Sequence, residues 1–368
     1  MTESSMSIVR DDFCNNKDFI KCVHHAIQFC MNENPSKSAK SLSKYCHVIM
    51  KPDFESSHST IEQIIDQIAV LFRLIHDCDV FLNMYSIWMA SRLLSNSYNE
   101  QRELLMISKL KQSNVNSHTY KLQRMLSDMN FSTQLNEDYK QEVSSGGFLH
   151  ATILTYVSWP LSYPNQSMVN LPRIVHDELE VFSDFYQTKH TGRKLIWIYS
   201  LSKFILKTNY HLPMSKSYEL QVTTDQLSIL LQLNEQDSVP YNNSIDADAL
   251  TKSKILLRED ENLLINYNFK SKKHKIGLGG SKKIAVQETF KSLSGLSEDR
   301  KYALQAAIIR IMKSKKSMEH DDLVRNVLQQ VTSFRPQTSD VKRSINALIE
   351  QEYIKRDENV TSMYKYIS

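Results

Sequence analysis

One lysine raises the first chemical question. In IIRIMKSKKSMEHDDL, Ile308 to Leu323, an amphipathic helix closes on Lys313, and a short basic run leads into a new helix start. A deprotonated lysine amine is a nucleophile toward activated carbonyls, whereas an ammonium at a helix end is a solvated charge that the helix dipole favours. At 100° per residue Lys313 lies about 200° round the helix from Ile311 and about 140° from Ile308, so it points away from the buried stripe. That geometry permits modification without demanding it.

Other chemistry-bearing residues read as structural. Cys22, His25, Cys30, Cys46 and His47 suggest zinc, but there is no CxxC pair and no metal-ligand spacing, so buried helix cysteines are expected instead. Gly277, Gly279 and Gly280 followed by Ser281 and Lys282 imitate a phosphate loop without its G-x-x-x-x-G-K-[ST] spacing, which makes this stretch a linker. Asp321 and Asp322 look like helix-start charge. No nucleophile elbow, HExxH or nucleotide fingerprint occurs. No metal, cofactor or catalytic apparatus is therefore expected of the chain.

The elements that position Lys313 can be read from periodicity. Up to residue 143 the sequence predicts a bundle of long helices. Ser59 and Thr60 stand at capping-box spacing from Glu62 and Gln63, ahead of the stripe Ile61, Ile64, Ile65, Ile68, Leu71, Phe72 and Ile75. DVFLNMYSIWMASRLL adds a helix with Val80, Met84, Ile87 and Leu94 as expected core, and LLMISKLKQ and TYKLQRMLSDMN supply two more. Residues 144–276 then read as mixed α and β. FLHATILTYVSWP is β-branched and aromatic-rich, and Leu195, Trp197, Tyr199 and Leu201 alternate like a half-buried strand. SYELQV is another strand candidate, with Thr223 or Thr224 capping the helix DQLSILLQL.

After a linker over 277–296, residues 297–368 predict three helices and a hairpin, a winged helix. Leu304, Ala307, Ile308 and Ile311 line the first helix; the third begins at Thr338 or Ser339 and buries Val341, Ile345, Leu348 and Ile349. A winged helix invites a DNA-binding reading through Lys342 and Arg343. Glu350, Glu352, Asp357 and Glu358 weigh against it, and a protein-interaction module is the other option.

Composition sets outer bounds. The 368 residues are 41% hydrophobic with seven glycines, enough for two or three helix-rich cores. No apolar run approaches the roughly 18 residues that span a bilayer. A net charge of +4 argues for neither nucleic acid nor membrane. Five cysteines without a recognisable secretory signal point to a reducing compartment.

The tail VKRSINALIEQEYIKRDENVTSMYKYIS resembles the carboxyl-terminal signature of cullins, scaffold subunits of ubiquitin ligases, through Val341-Lys342, Ile345, Leu348-Ile349-Glu350, Tyr353-Ile354, Arg356, Tyr364, Tyr366 and Ser368. LQAAIIRIMKSKK is similar to the cullin segment that accepts a ubiquitin-like modifier, and DVFLNMYSIWMASRLL, YKLQRMLSDM and HTGRKLIWIYSLSK follow in the family's order. The likeness is greatest to the cullin-1 type, without the amino-terminal repeats that hold adaptors.

The resemblance implies a mainly helical fold with an α+β part: an elongated bundle, an α/β region with an abbreviated first winged helix, and a carboxyl-terminal winged helix. It implies that Lys313, in the context of Arg310, Ile311 and Met312, is the acceptor of an isopeptide bond. It also implies that a RING-box zinc protein adds a strand beside Phe148, Ala151, Ile153, Leu154, Leu195, Trp197 and Tyr199. Lys270, Lys272, Lys273 and Lys275 would attract acidic segments of a ubiquitin-conjugating enzyme brought by that RING subunit, or would simply be solvated. Neddylation, deneddylation and cullin-exchange machinery are further implied partners, in cytoplasm and nucleus. The chain itself would be a non-catalytic scaffold whose last domain is released when Lys313 is modified. A DNA-binding regulator, or a short paralogue that occupies the RING subunit without substrate, stay open as alternatives.

Overall fold

The computed structural model describes residues 11–13, 16–54, 57–112, 116–143, 147–161, 171–209, 217–241, 244–278, 295–357, 360 and 362–367. They form two compact units: residues 1–129, 154–160 and 292–368 in one, 130–153 and 161–291 in the other. The helical beginning and the carboxyl-terminal module, separate in the sequence reading, thus fall in the same unit.

The first unit opens with α1 (Lys17–Asn32), α2 (Pro35–Ile49), α3 (His58–Leu74), α4 (Cys78–Leu94), α5 (Glu100–Lys111) and the start of α6 (Asn116–Glu142). Short polar side chains start these helices by accepting an orphan amide: Asn16 for α1, Asn34 for α2 with Pro35 behind it, Ser57 for α3 and Asn99 for α5. The α3 cap is Ser57, ahead of the expected Ser59 and Thr60. Helix α4 is the centre of the bundle and buries Phe81, Leu82, Tyr85, Met89, Ala90 and Leu93. Of the residues expected in its core only Val80 is buried; Met84, Ile87 and Leu94 are half-covered. A helix apolar nearly all round has no single periodic face to read.

Charge is taken deep into this core. Glu103 accepts from Tyr85 Oη and from Arg92 Nε, each at 2.7 Å, and Arg92 Nη1 meets His47 Nδ1 at 3.2 Å. The side chains of Arg92 and Glu103 are 1% and 0% exposed. His47 stacks on Trp88 with ring centroids 4.5 Å apart. Burial first, and the Glu103 carboxylate second, push the Tyr85 phenol well above its usual range. Burial and then the Arg92 charge hold His47 down at about 4. Burial drives the thiols of Cys46 and Cys78 up to about 12, so they are inert. Cys22 and Cys30, by contrast, are exposed on α1, against the expectation of buried helix cysteines.

The carboxyl-terminal module of this unit comprises α10 (Leu296–Lys315), β7 (Ser317–Glu319), α11 (His320–Gln330), α12 (Thr338–Glu350), β8 (Ile354–Arg356) and β9 (Met363–Tyr366). Its three helices and the expected hairpin close over Leu304, Ile308, Met312, Leu323, Val327, Val341, Ile345, Leu348, Ile354 and Tyr364. A strand absent from the sequence reading, β7, completes an antiparallel sheet in the order β7-β9-β8.

In the second unit α7 (Arg173–Lys189) accompanies the rest of α6. The sheet β1 (Phe204–Lys207), β2 (Glu219–Val222) and β6 (Lys275–Gly277) runs in the order β1-β2-β6, antiparallel then parallel. A second small sheet of β3 (Val239–Pro240), β5 (Asn262–Ile265) and β4 (Leu256–Glu259) accompanies α8 (Thr224–Glu235) and α9 (Ile245–Lys252). Thr223 starts α8 with a full capping box to Gln226. The order helix, strand, helix, strand, strand holds one helix fewer than the carboxyl-terminal module among the described residues.

Two strand expectations are corrected. Residues 147–155 and 193–198 form no helix and enter no ladder among the described residues, and Tyr199–Leu201 is a 3-10 turn; the nearest strand is β1, further along. The physical reason lies in α6. Asn136 exchanges two hydrogen bonds with the Ala151 backbone, at 2.8 and 2.7 Å, and Ser132 Oγ accepts from Ile153 N at 2.8 Å. Side chains thus do for this segment what a neighbouring strand would do. The linker also starts later than expected: Gly277 ends β6 and Leu278 is buried, its amide donating to Gln221 O at 3.0 Å. Gly279, Gly280, Ser281 and Lys282 lie outside the described residues.

Candidate functional site

Lys313 stands in the last turn of α10, exposed, one residue past the fully buried Met312. Leu304, Ala307, Ile308 and Met312 are buried, Ile311 is half-buried, and Arg310 is exposed one turn before Lys313. The helix stops at Lys316, whose backbone takes φ 66° and ψ −42°, a conformation that ordinary side chains rarely adopt. Three contacts hold it there. Its amide donates to Met312 O at 2.7 Å, its carbonyl accepts from Tyr366 N at 2.9 Å, and its ammonium lies 5.4 Å from the Tyr366 ring. His320 continues the stitching: its amide donates to Ser362 O at 2.8 Å, and its Nδ1 lies 3.0 Å from Tyr364 Oη. The acceptor candidate therefore projects from a rigid frame.

The module that carries it is fastened to the bundle. Arg300 donates to both carboxylate oxygens of Asp79, at 2.6 and 2.7 Å, and to Asp77 at 3.0 Å, with its guanidinium 4.9 Å from the Phe334 ring. Asp79 N donates to Ser333 O at 3.0 Å, and Arg335 Nη1 lies 3.2 Å from His76 Nε2. Sequence reasoning missed this clamp: nothing singled out Asp77 or Asp79, and Arg300 is 221 residues beyond Asp79. The hydrogen bond from Arg300 to Asp79, together with the charges of both aspartates, outweighs burial and raises the guanidinium pKa further.

The residues expected to meet a RING subunit come together only in part. Ala151, Ile153, Leu195 and Trp197 share one apolar cluster with Tyr139, Phe182 and Phe185, the Trp197 ring 5.9 Å from Phe182. Tyr199 packs on the neighbouring cluster around Leu220 and Val222. Phe148 is exposed, and Leu154 belongs with the other unit. Lys270, Lys272, Lys273 and Lys275 are all exposed, and Lys275 pairs with Glu219 at 3.4 Å. His176, Asp177 and Glu180 form an exposed group of ligand-type side chains on α7 that no other feature marks as a metal site.

Three family models match the chain in sequence: the cullin alpha solenoid domain over residues 1–136, the cullin alpha+beta domain over 153–276 and the cullin protein neddylation domain over 299–360. The chain belongs to the cullin family. Cullin-1 of Dictyostelium discoideum is 33% identical over 98% of this chain and 52% of its own length. Cullin-1 of Schizosaccharomyces pombe is 33% identical over 96% and 50%, and Cullin-4A of Mus musculus 30% over 98% and 51%. The chain thus spans about half the length of the curated cullins it matches. A solved structure described as "A Dual E3 Mechanism for Rub1 Ligation to Cdc53: Dcn1(P)-Cdc53(WHB)" is 35% identical over 20% of this chain and 85% of its own, with a TM-score of 0.19. Lys313 lies within the stretch matched by the neddylation model.

Proposed function

We propose that this cullin is a scaffold that holds a RING-box zinc protein and accepts a ubiquitin-like modifier on Lys313, in support of ubiquitin transfer in cytoplasm and nucleus. The observation that carries the reading is an exposed lysine in the last turn of a tightly anchored helix, inside the stretch that matches the neddylation domain. Its amine would attack the thioester carbonyl of a modifier carried by a conjugating enzyme. A C–N bond forms, the C–S bond breaks, and the thiolate leaves; that enzyme, not this chain, takes the amine's proton.

Strand addition by the RING protein is supported by the segment at 193–198, whose Leu195 and Trp197 side chains share a core with Ala151 and Ile153 while its backbone enters no ladder among the described residues. The exposed lysines from Lys270 to Lys275 suit an acidic conjugating enzyme. Arg343 is already paired with Asp340, which leaves the third helix with less free positive charge for DNA.

Intact mass after incubation with a RING-box protein and charged neddylation enzymes tests the reading, wild type beside Lys313→Arg. One added modifier on wild type and none on the variant is expected. Equal modification of the two proteins would remove Lys313 from its role while leaving the scaffold reading in place.

A further inference from the structure

Three amines stand within four residues at the end of α10: Lys313, Lys315 and Lys316, all exposed. An enzyme that modifies one of them and spares the others needs a physical difference between them. Around the helix Lys315 falls about 20° from Ile308 and continues the side that packs into the module, whereas Lys313 lies about 140° away. The Lys313 ammonium has no ion pair, hydrogen bond or ring contact among the described residues. Lys316 is different again. It leaves the helix at φ 66°, and a residue other than glycine stays at such an angle only where its surroundings over-determine it.

What holds Lys316 is Tyr366. The Tyr366 amide donates to Lys316 O at 2.9 Å, and the ring of the same residue lies 5.4 Å from the Lys316 ammonium. Tyr366 cannot follow Lys316 outward: it pairs across the sheet with the fully buried Ile354 and packs against the core of the module. The backbone and the amine of Lys316 are thus tethered to one fixed residue. A lysine reacts as its neutral amine, whereas a ring face attracts the ammonium, so Lys316 must give up this contact before it can react. At an exposed site such a contact is worth about two- to fivefold. We propose, resting on the acceptor reading of Lys313, that Tyr366 is a specificity-determining residue: it withholds Lys316 from the modifier and leaves Lys313 as the acceptor. Reaction at Lys316 would have the same balance as at Lys313. Its nitrogen would form the C–N bond, the thioester C–S bond would break, the thiolate would leave, and the conjugating enzyme would take the proton. Only the choice of nitrogen is at stake.

The full chain, modified with a RING-box protein and charged neddylation enzymes and mapped lysine by lysine by mass spectrometry, reads that choice. Tyr366→Leu keeps apolar bulk and loses the ring; Tyr366→Phe keeps the ring. The share of modifier on Lys316 should rise at least threefold in Tyr366→Leu and stay as in the wild type in Tyr366→Phe. Lys313→Arg combined with Tyr366→Leu should gain a modifier on Lys316 that Lys313→Arg alone lacks, and a damaged fold does not produce a gain. An unchanged Lys316 share in Tyr366→Leu, or an equal rise in Tyr366→Phe, overturns the proposal while leaving Lys313 in its role. A wild type that takes no modifier on Lys313 sinks the acceptor reading instead. The shielding is then read without enzymes, by acetylation with an N-hydroxysuccinimide ester. Lys316 should react at least twofold slower than Lys313 in the wild type and about threefold faster in Tyr366→Leu than in the wild type. Equal rates for the two lysines of the wild type, or no gain in the variant, overturn the proposal.

Discussion

Two arginines bind carboxylates in the same compact unit, and they do different work. Arg92 and Glu103 are almost wholly out of water in the middle of the bundle. Arg300 meets Asp77 and Asp79 at the seam with the carboxyl-terminal module and remains 30% exposed. The first pair joins helices that are already committed to one core, so it cannot open without unfolding the bundle. The second joins the helical bundle to the carboxyl-terminal module, which closes over an apolar cluster of its own, so its loss should loosen the attachment more than either core. Burial sets how much of the fold an ion pair takes with it when one partner is removed.

The largest expected effect breaks the buried side. Glu103→Ala leaves the Arg92 charge and the Tyr85 hydroxyl unpaired and should cost about 3–5 kcal/mol, read as a fall in the urea midpoint. Arg92 already has one buried nitrogen, Nη2, without a hydrogen-bond partner among the described residues, so the site has little slack. Arg300→Ala should cost about 1–3 kcal/mol of attachment. Hydrogen exchange should quicken in the turn before α4 and in residues 331–336, while the melting of the bundle stays put. If the bundle melts earlier by as much as it does in Glu103→Ala, the contrast between the two arginines is wrong.

A smaller effect concerns pH. Folded His47 titrates near 4 instead of 6.5. Between those values the unfolded chain binds the extra proton, so stability present above pH 6.5 is lost as pH falls toward 4. After allowance for partial exposure the loss is on the order of 1–2 kcal/mol. Denaturant midpoints taken between pH 7 and pH 4 should converge for wild type and His47→Asn at the acid end. The smallest change is Lys313→Arg, which should move stability by no more than about 0.5 kcal/mol, since the residue is exposed and the charge is kept.

What the sequence disclosed follows from which interactions are local. The helices of the carboxyl-terminal module were legible because Leu304, Ile308, Val341, Ile345 and Leu348 sit on single clean stripes, and Lys313 could be placed outside them by angle alone. The alternation of Leu195 and Trp197 was also real, and both side chains are half-buried on one cluster. Alternation reports which side chains are covered, however, and not whether the backbone has a neighbour to pair with. Helix α4 hid its register by being apolar on most sides. The clamp of Arg300 had no local signature, because its partners come from the far end of the chain. Strand β7 is only three residues long and became visible only through its pairing with β9.

The ladderless segments have a practical consequence for anyone preparing this protein. Among the described residues the backbone amides of Leu195, Ile196 and Trp197 donate to no acceptor, while Ile196 is exposed and Phe148 stands exposed on the other ladderless stretch. Partly apolar chain with free amides is what another chain in search of a ladder seeks, so the stretch around Leu195–Trp197 should be an early site of proteolysis and of association between molecules, whereas Ala151 and Ile153 already donate to α6.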